Sequence, residues 1–418
     1  MPVLFAVIVI DLIGFGLVIP LLPFYGEYFL ASPLVVTLLM STYSLFQLSA
    51  APLWGRLSDR HGRRPILLVS LAGGVVGYLW LGMADALWML FAARALQGVC
   101  AGNIAAAQAY VADVTTPENR AKGMGMIGAA FGIGFIIGPA LGGALAGSNP
   151  TAPDVAAPAF FAAALSASAF CATLVFLKES LSPALCEVKR RNRREAVTRA
   201  LRRPTLRRLL LIFFVVGFAF AGMETTFALW ASRQFGWGAA QVGYVLTYIG
   251  ICSAVVQGGF IGRLSRRFGE ERLLSAGIGS LGLGLLAIPI SASIPALVIA
   301  TGLLAFGMGM IQPSVNSLIS RRAVSDEQGE VMGVTQSFGS LARILGPFFA
   351  GVLFVGIGPS APYFAGAALM SGVLVLALRT MRGEAARPPF SGAGRRSAAL
   401  NRAEVAQLRG KYDAARNV

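Results

Sequence analysis

Twelve apolar runs, each roughly 18 to 25 residues long, succeed one another along this chain, and as α-helices they match a hydrocarbon core of about 30 Å. They lie at 3–26, 34–54, 65–83, 86–113, 122–146, 157–177, 209–231, 240–262, 273–291, 295–320, 329–353 and 360–380. With 418 residues, 56% of them hydrophobic and 13% charged, and a mean hydropathy of +0.69, there is too little polar surface to enclose a water-soluble core. Backbone in lipid must satisfy its own hydrogen bonds, so the predicted class is an all-α membrane protein with twelve transmembrane helices.

The net charge of +16 follows this topology. Of the 35 Lys and Arg, 32 fall on one side, Arg233 alone on the other, and Arg94 and Arg343 lie inside helices. Basic residues are retained on the cytoplasmic side, so both termini and the long loop 178–208 are expected there, in a bacterial-type inner membrane. Charge distributed in this way argues against a nucleic-acid partner. The first run has no basic residue before it and exceeds a signal-peptide core in length, which reads as an uncleaved helix. Cys100, Cys171 and Cys252 fall in helices and Cys186 in the loop, without the spacing of a disulfide framework or zinc site. His61 is the only histidine, so no metal centre is expected.

The chain repeats itself. Gly55-Arg56-Leu57-Ser58-Asp59-Arg60-His61-Gly62-Arg63-Arg64-Pro65 returns 207 residues later as Gly262-Arg263-Leu264-Ser265-Arg266-Arg267-Phe268-Gly269-Glu270. Gly138-Pro139 returns as Gly346-Pro347, at an offset of 208. Two six-helix bundles are predicted, 1–177 and 209–380, arranged as pseudo-symmetric halves. The basic linker 178–208, with Pro183 and Pro204 as breakers, is either an amphipathic helix lying on anionic headgroups or a solvated connector. The basic tail 381–418 is expected to be disordered.

The first-half turn matches the form G-x-x-x-D-R-x-G-R-R and so resembles the loop 2–3 signature of the major facilitator superfamily. Gly134-x-x-x-Gly138-Pro139-x-x-Gly142-Gly143 resembles the fifth-helix signature of its proton-coupled drug antiporters. Asp11-x-x-Gly14-x-Gly16-x-x-x-Pro20-x-x-Pro23 and Arg94-x-x-Gln97-Gly98 look like the same branch. Phe235-Gly236-Trp237, Gln257 and Gly269-Glu270 resemble its tetracycline-resistance exporters, although Gly77 and Gly279 stand where those exporters carry intramembrane acids. The resemblance implies a major facilitator fold, no cofactor, transport driven by a proton gradient, and a place for Arg94 in the coupling network.

Intramembrane charges carry the functional expectations. Asp11 lies among Ile8, Val9, Ile10, Leu12 and Ile13, where a carboxylate costs about 2.5–3.5 kcal/mol, and it is the candidate proton site. A structural ion pair is the alternative. Arg94 and Gln97 share a helix face and either serve coupling or bond backbone carbonyls. Glu224 is either a cavity acid or the partner of Arg233, and Arg343 either attracts anionic substrates or neutralises Glu224. Gln97, Gln257, Gln312 and Asn316 are further cavity candidates, joined by Gln47 and Gln336, with Phe24, Phe46, Phe131 and Phe227 as an apolar wall. In the charged turn, Gly55, Asp59, Arg60, Gly62, Arg63 and Arg64 form a candidate latch. There Asp59 would cap the eleventh helix when the basic side is closed, and the arginines would meet Asp113 and lipid phosphates. Gly134, Gly138, Pro139, Gly142 and Gly143 leave a strip for close helix approach.

These residues predict a monomeric secondary transporter that exports a small amphipathic compound in exchange for protons. An importing symporter or uniporter has the same fold. A membrane enzyme would need a nucleophile and base set or a metal cluster at membrane depth, which this chain lacks, and a non-transporting sensor leaves Asp11 unexplained.

Overall fold

The computed structural model describes residues 2–150, 153–181, 193–323 and 327–385. Among them twelve helices are long and apolar enough to cross a membrane. They are α1 (Pro2–Tyr28), α2 (Pro33–His61), α3 (Arg63–Gly82), α4 (Leu87–Val114), α5 (Lys122–Ala146), α6 (Ala156–Phe176), α7 (Pro204–Phe235), α8 (Ala239–Phe268), α9 (Glu270–Ile290), α10 (Ile294–Arg322), α11 (Gly329–Gly356) and α12 (Ala361–Arg379). Several outrun their apolar stretches at the basic face, because a helix carrying Arg or Lys in its last turn leaves the hydrocarbon without unwinding.

The described part of the linker contains a helix, as one of the two expectations has it, and is tied to protein. The helix, Arg193–Arg202, is bound by the ion pair of Arg199 with Glu330 (2.9 Å) and, from the residue after it, that of Arg203 with Glu327 (2.6 Å), at the start of α11. Pro204 is a breaker as expected, with Arg203 extended between the linker helix and the next. It opens α7, five residues before the apolar run begins, where its missing N–H is no loss. Cys186, most of the linker's first basic cluster and the tail beyond 385 lie outside the described residues, and the chain remains helical to Ala385.

Interruptions in the helices place polar groups at membrane depth. In α4 the ladder breaks at Ala101–Gly102. The freed groups are satisfied by Ser70 of α3, whose hydroxyl accepts from the N–H of Gly102 (3.1 Å) and Asn103 (3.0 Å) and donates to the carbonyl of Cys100. In α8, Val256–Phe260 forms a π-helical turn containing Gln257. Both copies of the charged turn hinge on a glycine of positive φ, Gly62 at 102° and Gly269 at 81°. The repeat is therefore conserved in backbone as well as in letters.

Close approach is concentrated on α5. A Cβ on Gly138 would lie 2.7 Å from Gly16 of α1, and one on Gly134 would lie 2.6 Å from Leu12. Gly142 packs against Leu17, whereas Gly143 turns to α8, where a Cβ would stand 2.6 Å from the Ala239 carbonyl. The strip thus serves two partners, one in the first six helices and one in the second.

Across the two sets of six, contacts gather at the face opposite the basic loops. Ser41 of α2 donates to the Ile344 carbonyl of α11 (3.0 Å), and Thr247 of α8 to the Ile136 carbonyl of α5 (3.1 Å). The Ala240 N–H bonds the Gly147 carbonyl (3.0 Å), and Gly351 of α11 packs on Thr37 and Leu34 of α2. Toward the basic face the same helices diverge: a Cβ on Gly125, Gly128 or Gly132 of α5, Gly258 or Gly259 of α8, or Gly333 of α11 would meet nothing within 4 Å. The bundle encloses a cleft sealed at one face and open at the basic one.

Candidate functional site: an amphoteric cleft at membrane depth

Asp11 stands near the middle of α1, half-buried, and accepts a hydrogen bond from the Asn103 side chain. The α4 break supplies this partner, since Asn103 is the first residue of the resumed helix. Arg94 does not pair with Asp11. Its guanidinium is buried, donates from Nη1 to Gln97 Oε1 (2.9 Å) and lies 4.6 Å from the centre of the Tyr43 ring and 5.9 Å from that of Phe15. Among the described residues its Nε has no hydrogen-bond partner, nor does Nε2 of Gln97. Cation–π contact is the main compensation left to this charge. Tyr43 is within electrostatic reach of Arg94, Asp11 and Arg343, and Tyr78 of Asp11 and Arg94. Tyr43 also receives a long hydrogen bond from Gln47 (3.4 Å).

The second six helices contribute Glu224 from α7 and Arg343 from α11. Each acts electrostatically on the other, yet they form no ion pair among the described residues. Glu224 is half-buried and Arg343 is exposed although it stands mid-helix. α11 packs on α2 and α7, so an arginine that senses both Tyr43 and Glu224 faces the cleft rather than lipid. Four ionisable groups, two of each sign, therefore converge at membrane depth with neither cation touching an acid.

The remaining expected cavity residues divide. Gln312 and Asn316 are half-buried on α10, while Gln257 and Gln336 are exposed toward the open end. Phe24 and Phe227 do not form a cavity wall. At 1% and 0% exposure they belong to the packed core, because both sit where helices meet at the sealed face. Phe46 is exposed and Phe131 half-buried. Arg233 pairs not with Glu224 but with Glu27 of α1 (3.8 Å), and its guanidinium lies 4.6 Å from the Phe354 ring centre. Glu224 lies more than two turns deeper along α7 than Arg233, out of reach of that pair.

At the basic face Arg63 is buried and joins Asp113 (3.0 Å), Asp59 (2.6 Å) and Ser58 (3.0 Å). Asp59 does not cap α11 in this arrangement, because the helices are apart there and Arg63 is within reach on its own turn. Arg64 donates to the Leu174 carbonyl (2.6 Å), while Arg60 is exposed and Gly55 half-buried. Glu179 accepts from the backbone N–H groups of Arg63 (2.8 Å), Arg64 (3.1 Å), Ser180 (2.9 Å) and Leu181 (3.0 Å), closing the turn against the chain after α6. Partial burial raises its pKa, but these four donors outweigh that and hold the carboxyl below its ordinary value.

In the second half the charges are exchanged. Glu270 stands at the repeat position of Arg63 and Arg321 at that of Asp113, and they too form an ion pair (3.1 Å), with Ser317 donating to Glu270 (2.8 Å). Asn103, Glu27, Glu179 and this inverted pair escaped the reading of the sequence. Asn103 had a usable signal, a carboxamide in an apolar run just after Gly102.

A bundle of twelve helices, with ionisable side chains gathered in a cleft open at one face, is the architecture of a polytopic membrane transporter. The profile of the Major Facilitator Superfamily matches residues 4–347 and again 258–411. The chain belongs to that superfamily. It is 33% identical over 355 residues to the class E tetracycline resistance protein of Escherichia coli, covering 83% of this chain and 86% of that one. It is 29% identical over 358 residues to multidrug resistance protein 2 of Bacillus subtilis, covering 84% and 88%. The crystal structure of the human organic anion transporter MFSD10 (TETRAN) superposes with a TM-score of 0.68 at 27% identity, over 90% of this chain and 98% of that one.

Proposed function

We propose that the protein is a proton-coupled antiporter of the bacterial inner membrane, with cytoplasmic termini, which exports a small amphipathic compound by alternating access. Its partners are then the compound, protons and a bilayer with anionic headgroups. It works as a monomer and needs no cofactor beyond the proton gradient. The observation that carries this reading is Asp11, half-buried at membrane depth and held by a neutral carboxamide rather than a cation. A carboxylate neutralised by arginine is locked in one charge state, whereas one bonded to asparagine can gain or lose a proton.

The resistance proteins among its relatives support export, and the cleft opening at the basic face suits loading from the cytoplasm. Protonation of Asp11 alters the relative energies of the inward- and outward-open states, and substrate binding competes with the proton. One proton moving down 100 mV supplies about 2.3 kcal/mol, enough for roughly 50-fold accumulation in one-to-one electrogenic exchange.

The test is dye-reported proton release from acid-loaded inverted vesicles, challenged with tetracyclines, cationic dyes, phenicols, quinolones and aromatic acids. Wild type is expected to respond to at least one class and Asp11→Asn to none. Equal responses would remove Asp11 as the coupling site. Silence of wild type to the whole panel would favour the importer.

A further inference from the structure

Of the two arginines in the cleft only one is spent. Arg94 is covered by Tyr43 and bonded to Gln97. Arg343 is exposed to the cleft, and among the described residues its one hydrogen bond goes to Ser340 (3.2 Å), on its own helix. Gly339, four residues earlier, contributes no side chain beside the guanidinium: a Cβ there would lie 3.6 Å from Nη1 and 3.2 Å from the Phe213 ring of α7, the nearest group on that side. The carbonyl of the next residue, Ile344, accepts from Ser41, so Arg343 sits immediately beneath the seal, at the blind end of the open cleft. The groups that act on it electrostatically are Tyr43 and Glu224, and neither forms an ion pair with it. A guanidinium at membrane depth, unpaired and open to entering solutes, has an unfilled fork of donors suited to a planar anion.

We propose that Arg343 is the seat for an anionic group, a carboxylate or sulfonate, on the transported compound. The inference rests on the transporter reading above and narrows its substrates to amphipathic organic anions. The aromatic pair Phe15 and Tyr43, with ring centres 5.1 Å apart, stands beside the cleft charges and receives the apolar body. Glu224 then sets polarity along the site: it repels the anion on the α7 side and leaves Arg343 as the single point of attachment.

The test compares 1-naphthoate with its uncharged near-isostere 1-naphthamide, by equilibrium dialysis against the purified full-length protein. Wild type is expected to bind the carboxylate at least about tenfold more tightly, a ratio matching one charge-assisted hydrogen-bonded contact. In Arg343→Gln the ratio falls to near one while naphthamide affinity is unchanged. Arg343→Lys, which keeps the charge but loses the fork, retains an intermediate ratio. It decides the matter if the Gln variant does not yield folded protein by gel filtration. A wild type that binds both probes equally or neither, or a Gln variant that keeps the ratio, overturns the assignment. Proton release is read separately. Naphthoate preference without proton release keeps the seat and rejects the antiport reading, whereas proton release on cationic dyes without that preference does the reverse.

Discussion

A single carboxamide decides how Asp11 behaves. With Asn103→Leu the carboxyl loses its only hydrogen bond among the described residues, and substrate-driven proton release is expected to fall at least tenfold while substrate binding by dialysis is retained. Equal loss of both would mean that Asn103 merely holds the α4 break. Glu179 gives a residue-scale prediction about stability. Its folded carboxyl lies below the unfolded value, so its contribution is present above the ordinary carboxylate range and disappears as pH falls through the folded value. Melting curves of wild type and Glu179→Gln are therefore expected to differ at pH 6 and to converge as the pH is lowered through the acid range. A gap unchanged across that range would remove the ionised carboxylate from the explanation. At this scale the identities of Asp11, Arg94, Glu224 and Arg343 were legible in the sequence, because charges in apolar runs are rare and costly. Their partners were not. Asn103 lies 92 residues from Asp11, and Glu27 is even further in sequence from Arg233, so only packing brings each pair together.

Among the elements, α5 carries the tightest constraint. Gly138→Ala places a methyl 2.7 Å from the α1 backbone, which cannot move without also disturbing the α5–α8 seam at Gly143. The expected cost is about 1–3 kcal/mol of stability, seen as a lower melting temperature in detergent, whereas Gly128→Ala, facing open space, is expected to be neutral. The linker helix is held more lightly. Its bonds to Glu327 and Glu330 come from partly exposed arginines, worth roughly 0.2–1 kcal/mol each. Arg199→Ala with Arg203→Ala is expected to speed tryptic cleavage around residues 182–202 a few-fold without changing the melting temperature. Unchanged cleavage would show that apolar contacts alone hold the helix. The small-residue strip was legible as a pattern, but its division between α1 and α8 depends on the rotation of the helix, which glycine spacing leaves open.

For the whole molecule, the seal and the opening are two ends of one arrangement, and switching between them must break the α2–α11 and α5–α8 contacts. Thr37→Cys with Gly351→Cys, in a background without native cysteines, places two thiols across the α2–α11 seam. Oxidation is expected to abolish transport and reductant to restore it, while dialysis of substrate from the basic side is unaffected; transport that survives cross-linking would show that this seam need not open. The exchanged ion pairs, Arg63 with Asp113 and Glu270 with Arg321, hold equivalent corners of the two sets of six helices. Opposite polarity at equivalent corners distinguishes the two sets electrostatically as the basic face closes. The sequence by itself determined the class of fold, the number of crossings, the duplicated turn and the presence of costly charges. Hydrophobic length, hydrogen-bond satisfaction in lipid and charge cost act locally along the chain and so leave their mark in its order. Only the tertiary structure decided that Asp11 pairs with Asn103, that Arg233 meets Glu27, that Phe24 and Phe227 are core, and that the cleft opens at the basic face. Each of these depends on the rotation and tilt of helices far apart in sequence, set by packing energies that no local pattern encodes.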